Sequence, residues 1–181
     1  MKKLALTLLL LTTLHSCKDE TSKKSTDSKK SSSLIENFNC STFFKKGDYS
    51  SLCFTDLKQP KYINRGCIFE FSVKGDKHIQ DLKVQFVSKK SLYLAEMHYN
   101  LNRNKSKKGS IKEVSSVGNA AFFNVHSTDL KSLSRSNKDL YVRYNNITFV
   151  IFASYQSNTD TPCFYDDKAL VNLAEKIIEN L

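Results

Sequence analysis

The stretch DLYVRYNNITFVIFAS, residues 139–154, restricts the fold of this chain more than any other segment. Apolar and polar side chains alternate before Asn145-Asn146, and a mostly apolar run follows the pair; both patterns are typical of β-strands. Asparagine tolerates a positive φ, so this pair suits a two-residue type I′ turn between antiparallel strands. The segment therefore predicts a β-hairpin.

Three further segments carry strand patterns. Residues 67–73, CIFEFSV, place four apolar side chains on one face, and the alternation resumes in residues 81–87, DLKVQFV, after a turn. These two segments predict a second hairpin. Residues 119–125, NAAFFNV, indicate a buried strand.

Three other segments indicate helices. Residues 37–54 predict one or two short helical turns. In residues 88–102 Ser88 can cap a helix, although the strict alternation of this segment also fits a strand. The last helix begins at Asp166 or Asp167. Its apolar stripe consists of Ala169, Leu170, Leu173, Ala174, Ile177, Ile178 and Leu181. The order of elements predicts the α+β class, a mainly antiparallel sheet with packed helices.

The N-terminus has the three parts of an export signal. After Lys2 and Lys3 comes an apolar run of about 11 residues, which as a helix is roughly 16 Å long against about 30 Å of bilayer hydrocarbon. It is too short to span a membrane and has the flanks of a secretory signal. Its end, Leu14-His15-Ser16-Cys17, resembles the bacterial lipobox, with His15 standing where a small residue is usual.

The lipobox resemblance implies that residues 1–16 are removed and that Cys17 receives diacylglycerol and an acyl chain such as palmitate. Two or more chains anchor a protein stably. Lys18, Asp19 and Glu20 are similar to the signal that sends lipoproteins of Bacteroidota-type bacteria to the cell surface. The resemblance thus implies an outer-membrane lipoprotein exposed on the surface. A plain cleaved signal followed by a polar linker is the alternative.

Residues 18–33, KDETSKKSTDSKKSSS, contain no apolar residue and predict a disordered tether. With Cys17, the tether covers residues 17–33 and has an average reach of roughly 20–25 Å.

Residues 34–181 then form a single domain, which holds more than half of the net charge of +10. This charge favours an acidic protein, an acidic polysaccharide or a lipid surface as partner, and no motif indicates nucleic acid. The densest basic cluster, a candidate binding surface, is Arg103, Lys105, Lys107 and Lys108.

Four of the five cysteines remain once Cys17 is assigned to lipid. An even number in an exported chain indicates two disulfides, and spacing alone leaves all three pairings open. No cysteine or histidine spacing indicates zinc, so we expect no metal and no cofactor. The four are Cys40, Cys53, Cys67 and Cys163.

Several motifs carry a family resemblance that covers most of residues 38–181. They are NCSTFF, RGCIFEF, VSSVGNAAFF, LYVRYNNITFVIF and LAEKIIENL. Together they resemble exported bacterial lipoproteins of uncharacterised function with a PsbP-like α/β/α sandwich. The resemblance implies a disulfide between Cys40 and Cys67, which leaves Cys53 with Cys163. Two positions depart from the pattern. Asn119 stands where an aspartate is common, and the Asn-Asn turn replaces a glycine turn.

The sequence carries no recognisable catalytic set. His78, His98 and His126 lie in separate segments without metal-binding spacing. We therefore expect a lipid-anchored binding module of the cell envelope rather than an enzyme. Two alternatives stay open: an inhibitor or immunity-type lipoprotein that blocks a toxin, and an enzyme whose site joins dispersed residues, such as His98 or His126 with a carboxylate.

Overall fold

The computed structural model describes residues 34–36, 38–40, 43, 54–58, 60–63, 66–73, 81–106, 110–130, 133–156 and 160–181. All of them belong to one compact unit, Ser31–Leu181. Several predicted features lie outside the described residues: Cys17, Lys18, Asp19, Glu20, the rest of the tether, Cys53, His78, Lys107, Lys108 and most of the first predicted helix.

The described residues form eight strands, two α-helices and one short 3-10 helix. In chain order these are β1 (Phe54–Leu57), β2 (Lys61–Ile63), β3 (Gly66–Val73), β4 (Asp81–Ser88), α1 (Leu92–Lys105), β5 (Ile111–Val114), β6 (Ala120–Leu130), β7 (Leu133–Tyr144), β8 (Ile147–Gln156), the 3-10 helix (Cys163–Tyr165) and α2 (Asp167–Glu179). The sheet order is β1-β3-β4-β8-β7-β6-β5, with β2 also paired to β3, and every pairing is antiparallel. The α+β prediction, a mainly antiparallel sheet with packed helices, is confirmed.

The predicted hairpin at the Asn-Asn turn is present, but its turn differs from the prediction. Tyr144 pairs with Ile147 across the turn. Asn145 has a φ of 52° and is the one described non-glycine residue with a positive φ. A type I′ turn needs positive φ at both central residues, whereas a positive φ at the first alone matches type II′. The Asn145 amide donates to Asn119 Oδ1 at 2.6 Å, so a contact from another loop holds this turn.

Both helices begin at a polar cap. Ser91, not Ser88, caps α1, because its Oγ accepts the Leu94 amide at 3.2 Å, while Ser88 is the last residue of β4. The helix continues to Lys105, three residues beyond the predicted segment 88–102. Asp166 caps α2, as one of the two predicted candidates, and accepts two backbone amides at 3.0 and 3.3 Å.

Helices cover both faces of the sheet. On one face, α2 buries its stripe against large apolar side chains such as Phe123 and Leu140. Their neighbours in sequence, Phe122 and Tyr141, point to the other face, because side chains alternate along a strand. There Tyr99 of α1 contacts Phe122 edge-on at 5.4 Å, and Phe122 stacks on Tyr141 at 4.7 Å. No helix within the described part of the chain is long and apolar enough to cross a membrane.

A disulfide joins Cys40 of the N-terminal segment to Cys67 of β3, with their Cα atoms 6.1 Å apart. This is the pair that the family resemblance implied. Phe38 and Phe43 flank it, and each places its ring centre 5.1 Å from that of Phe86. Cys163 is also disulfide-bonded, and its partner lies outside the described residues.

Candidate binding surface on helix α1

The predicted basic cluster is only partly a free cationic surface. Arg103 and Lys105 lie in the last turn of α1, and Lys107 and Lys108 lie outside the described residues. The Arg103 guanidinium binds Glu113 of β5, with Nη2 2.7 Å and Nε 2.8 Å from Oε1. This charge is therefore compensated within the domain. Lys105 is exposed at the end of the helix.

The outer face of α1 carries the most exposed large apolar side chains of this helix. We call Tyr93, Leu94, Met97 and Leu101 the α1 stripe; their exposed fractions lie between 42% and 69%. Residues three, four and seven apart fall on one face of a helix, so the four side chains form one continuous surface, which the exposed Asn100 and Asn104 border. Ala95 and Tyr99, on the opposite face, are buried against the sheet. The helix is thus apolar on both sides, and its outward side has no partner among the described residues.

The α1 stripe sits on a firmly held helix. Ser91 caps its first turn, and Tyr99 packs against Phe122 beneath its third turn. On the flank, His98 Nδ1 lies 2.8 Å from Thr148 Oγ1 of β8. Burial lowers the pKa of His98, as do the charges of Lys89 and Lys105, and both effects favour the neutral imidazole. The stripe is therefore presented on a fixed frame.

The N-terminal segment meets the domain at the start of α1. The Ile35 amide donates to Asn146 Oδ1 at 2.7 Å, and Asn146 Nδ2 donates to the Ile35 carbonyl at 3.1 Å. The same Asn146 amide group donates to the Lys89 carbonyl at 2.9 Å, three residues before α1. A cleft of about 600 Å³ lies here, lined in part by Phe38, Lys89 and Lys90. The N-terminal segment is thus fixed at Ile35, close to the residues that precede α1.

Among the described residues, one histidine and one carboxylate fit the alternative of an enzyme site built from dispersed residues. His98 contacts a threonine and not a carboxylate. His126 of β6 pairs with Asn137, and Asp139 of β7 pairs with Asn124, so His126 and Asp139 are diagonal neighbours on one sheet face.

Asp139 is only 7% exposed, and burial raises the pKa of its carboxyl to about 7. Among the described residues there is no group of three or more side chains able to hold a metal. This buried acid, on the same sheet face as His126, is what remains of the enzyme hypothesis.

Comparisons of the chain with protein-family models, with curated proteins and with solved structures found no match. The PsbP-like and lipobox resemblances therefore stay predictions.

The sequence patterns pointed to the basic residues that begin in the last turn of α1 and missed the α1 stripe. The sequence does contain a sign of this surface. A surface helix normally has one apolar face, whereas α1 carries apolar residues on two arcs. Those arcs alone do not show which one faces the sheet.

Proposed function

We propose that this protein is a non-enzymatic binding module of the bacterial outer membrane, anchored by lipid on Cys17 and exposed at the cell surface. The observation that carries the proposal is the α1 stripe, a continuous apolar surface on a helix whose other face is already buried. Exposed apolar patches of this kind mark surfaces that contact another molecule. The N-terminal lipobox pattern supports the anchor.

The way the domain would act follows from its construction. The described domain holds α1 through a cap, an aromatic contact and the His98–Thr148 contact, so binding needs little ordering of the helix itself. The tether would keep this preformed surface near the membrane and so raise its effective concentration for partners located there.

The anchor is tested by intact mass spectrometry of the protein extracted from membranes, before and after reduction. We expect a chain that begins at Cys17 and carries acyl chains. Reduction should add ~4 hydrogens, as two disulfides require. A Cys17→Ser chain, the matched control, should carry no lipid. Recovery of a wild-type chain without lipid, with four free thiols, would refute both the anchor and the oxidising compartment.

Surface exposure is tested on intact cells with a membrane-impermeant amine reagent. The wild-type lipoprotein should be labelled. A chain with Lys18→Ala, Asp19→Ala and Glu20→Ala should still be lipidated but escape labelling, because only the export signal is changed. Equal labelling of both chains would contradict the role of these three residues.

A further inference from the structure

Two features of the described domain lie side by side, namely the entry point of the tether and the start of the α1 stripe. Asn146 joins Ile35 to Lys89, so the chain that leads back to Cys17 arrives next to Lys90 and the first turn of α1. The helix has 14 residues, about 21 Å at 1.5 Å per residue. That length is close to the average reach of roughly 20–25 Å that the sequence predicts for the tether. A membrane that holds Cys17 is therefore within reach of the whole stripe.

The side chains on this face have the chemistry of a helix that lies in a membrane interface. Met97 and Leu101 are purely apolar, and Tyr93 combines an apolar ring with a polar tip, as interfacial aromatic residues do. Exposed lysines stand at both ends, Lys90 just before the helix and Lys105 one turn beyond Leu101. A lipid-facing helix of this type inserts its apolar face about 5–10 Å and binds anionic headgroups through its lysines.

Two other charges of α1 do not oppose this arrangement. Glu96 immediately precedes Met97 and lies about 100° around the helix from it, on the flank of the stripe. Arg103 is turned to Glu113 of the neighbouring strand β5. The charges on the outward side are thus the two lysines, and they are complementary to an anionic surface.

A second copy of the chain fits this surface less well. In an aligned two-fold pairing of α1 with its copy, the same patch meets itself. Lysines would then meet lysines at both ends of the helix. The net charge, which is +10 for the whole sequence and +8 without Lys2 and Lys3 of the signal, adds repulsion between whole molecules.

We propose that the α1 stripe, with Lys90 and Lys105, docks the domain flat on the anionic lipid surface of the membrane that holds its anchor. This rests on the proposed function, because the tether supplies the proximity. The domain then has a fixed orientation, with α1 against lipid and the α2 side of the sheet turned outward.

The test uses the absence of tryptophan from the sequence. Leu101→Trp places the chain's single tryptophan in the α1 stripe, and Tyr62→Trp is the matched control. Tyr62 is exposed and pairs with Cys67, whose side chain lies in the core on the α2 side of the sheet. Each lipidated full-length protein is reconstituted into vesicles of phosphatidylcholine with phosphatidylglycerol, with and without brominated acyl chains.

We expect brominated lipid to quench Leu101→Trp at least about threefold more than Tyr62→Trp, with a blue shift of the Leu101→Trp emission. Quenching should fall in vesicles of phosphatidylcholine alone. It should also fall when Lys90→Glu and Lys105→Glu are added, because the lysines would then no longer bind headgroups. Thermal melting of each variant establishes that it is folded, and Met97→Trp replaces Leu101→Trp if the latter is not.

The outcomes separate the docking from the anchor. If the protein floats with the vesicles but Leu101→Trp and Tyr62→Trp are quenched equally, the docking is wrong and the anchor stands. A concentration-dependent blue shift without bromine quenching would identify a second copy as the occupant and overturn the proposal. Quenching that survives both lysine substitutions would overturn the anionic-lipid part of it. Protein that does not float lacks the anchor, and both proposals then fail.

Discussion

At the scale of single residues, the most unusual environment is that of Asp139. Its carboxyl lies within the sheet between Asn124 and Phe152, and burial alone raises its pKa to about 7. Tyr141, two residues further along the same face, has its pKa raised to about 12 by burial and then by the charge of Asp139. The fold therefore favours the protonated form of this acid.

Replacement of Asp139 by asparagine should stabilise the protein above pH 7 and leave it little changed near pH 4. The pKa of Asp139 is higher in the folded state than its usual 3.8, so the folded state holds more protons between these values and unfolding releases one. Stability should therefore fall as the pH rises from about 4 to 7, by up to roughly 4 kcal/mol for a shift of this size. Asparagine cannot ionise and should remove this dependence.

The measurement is the free energy of unfolding in urea at several pH values for wild type and Asp139→Asn. The matched control is Asp160→Asn, at an exposed aspartate of the loop before α2. It should keep the wild-type slope. A wild-type slope in Asp139→Asn would show that other groups cause the pH dependence.

At the scale of elements, a half-buried ion pair fastens α2 to the sheet. Lys138 of β7 donates to Asp167 Oδ1 and to the Tyr165 carbonyl, both at 2.7 Å. Lys112 of β5 donates to the other oxygen of Asp167, also at 2.7 Å. Burial raises the pKa of Asp167, but the bonds from the two lysines outweigh burial and hold it below the usual value.

The two lysines make equally short bonds to Asp167, yet their removal should have unequal effects. The Lys138 side chain is 14% exposed and that of Lys112 is 69% exposed. Lys138→Met should destabilise the protein by about 1–3 kcal/mol, because buried charge-assisted bonds are lost. Lys112→Met should leave stability close to that of wild type, because solvent screens an exposed pair. Urea unfolding of the two variants measures the difference, and equal effects would contradict the role of burial.

At the scale of the whole molecule, the Cys40–Cys67 disulfide ties the N-terminal segment to the sheet. The two cysteines are 27 residues apart in sequence. Cys67 is fully buried among the core residues, and Phe38 and Phe43 pack next to the bond. The position of the described N-terminal residues thus depends on a covalent link as well as on the bonds of Asn146.

Loss of this disulfide in the double variant Cys40→Ala with Cys67→Ala should destabilise the protein by about 3–4 kcal/mol. A loop of this length gives that value when the closed loop restricts the unfolded chain. Urea unfolding without reductant measures it. Addition of reductant should destabilise the double variant further, because the bond of Cys163 remains to be opened. An unchanged unfolding midpoint in the double variant would show that the link adds nothing to stability.

Local patterns predicted most of the elements in the described domain. Alternation identified the strands β3 and β4, and the strand-like stretches around Asn145-Asn146 identified the hairpin of β7 with β8. A two-residue period alone does not decide the structure, because residues 88–102 also alternate and most of them form α1. The apolar face of α2 and the cap at Asp166 identified α2, because helical spacing and a capping residue also depend only on neighbours along the chain. The short strands β1, β2 and β5 were missed, since three or four residues are too few to show a period.

Tertiary structure alone decided the remaining features. β6 and β7 extend through the mostly polar residues 126–130 and 133–138, because they pair with each other from Ala120 with Arg143 to Leu130 with Leu133. The turn at Asn145 took its form from a bond to Asn119.

Tertiary structure also decided which surface of α1 is exposed, and this surface carries the proposed function. Two arcs of α1 are apolar in sequence, and packing of Tyr99 on Phe122 determines that the α1 stripe faces outward. The sequence by itself determined most of the segments that form strands or helices, since these depend on neighbours along the chain. Which faces are buried, which acid is neutral and which apolar side remains exposed depend on neighbours in space, and only the assembled sheet supplies them.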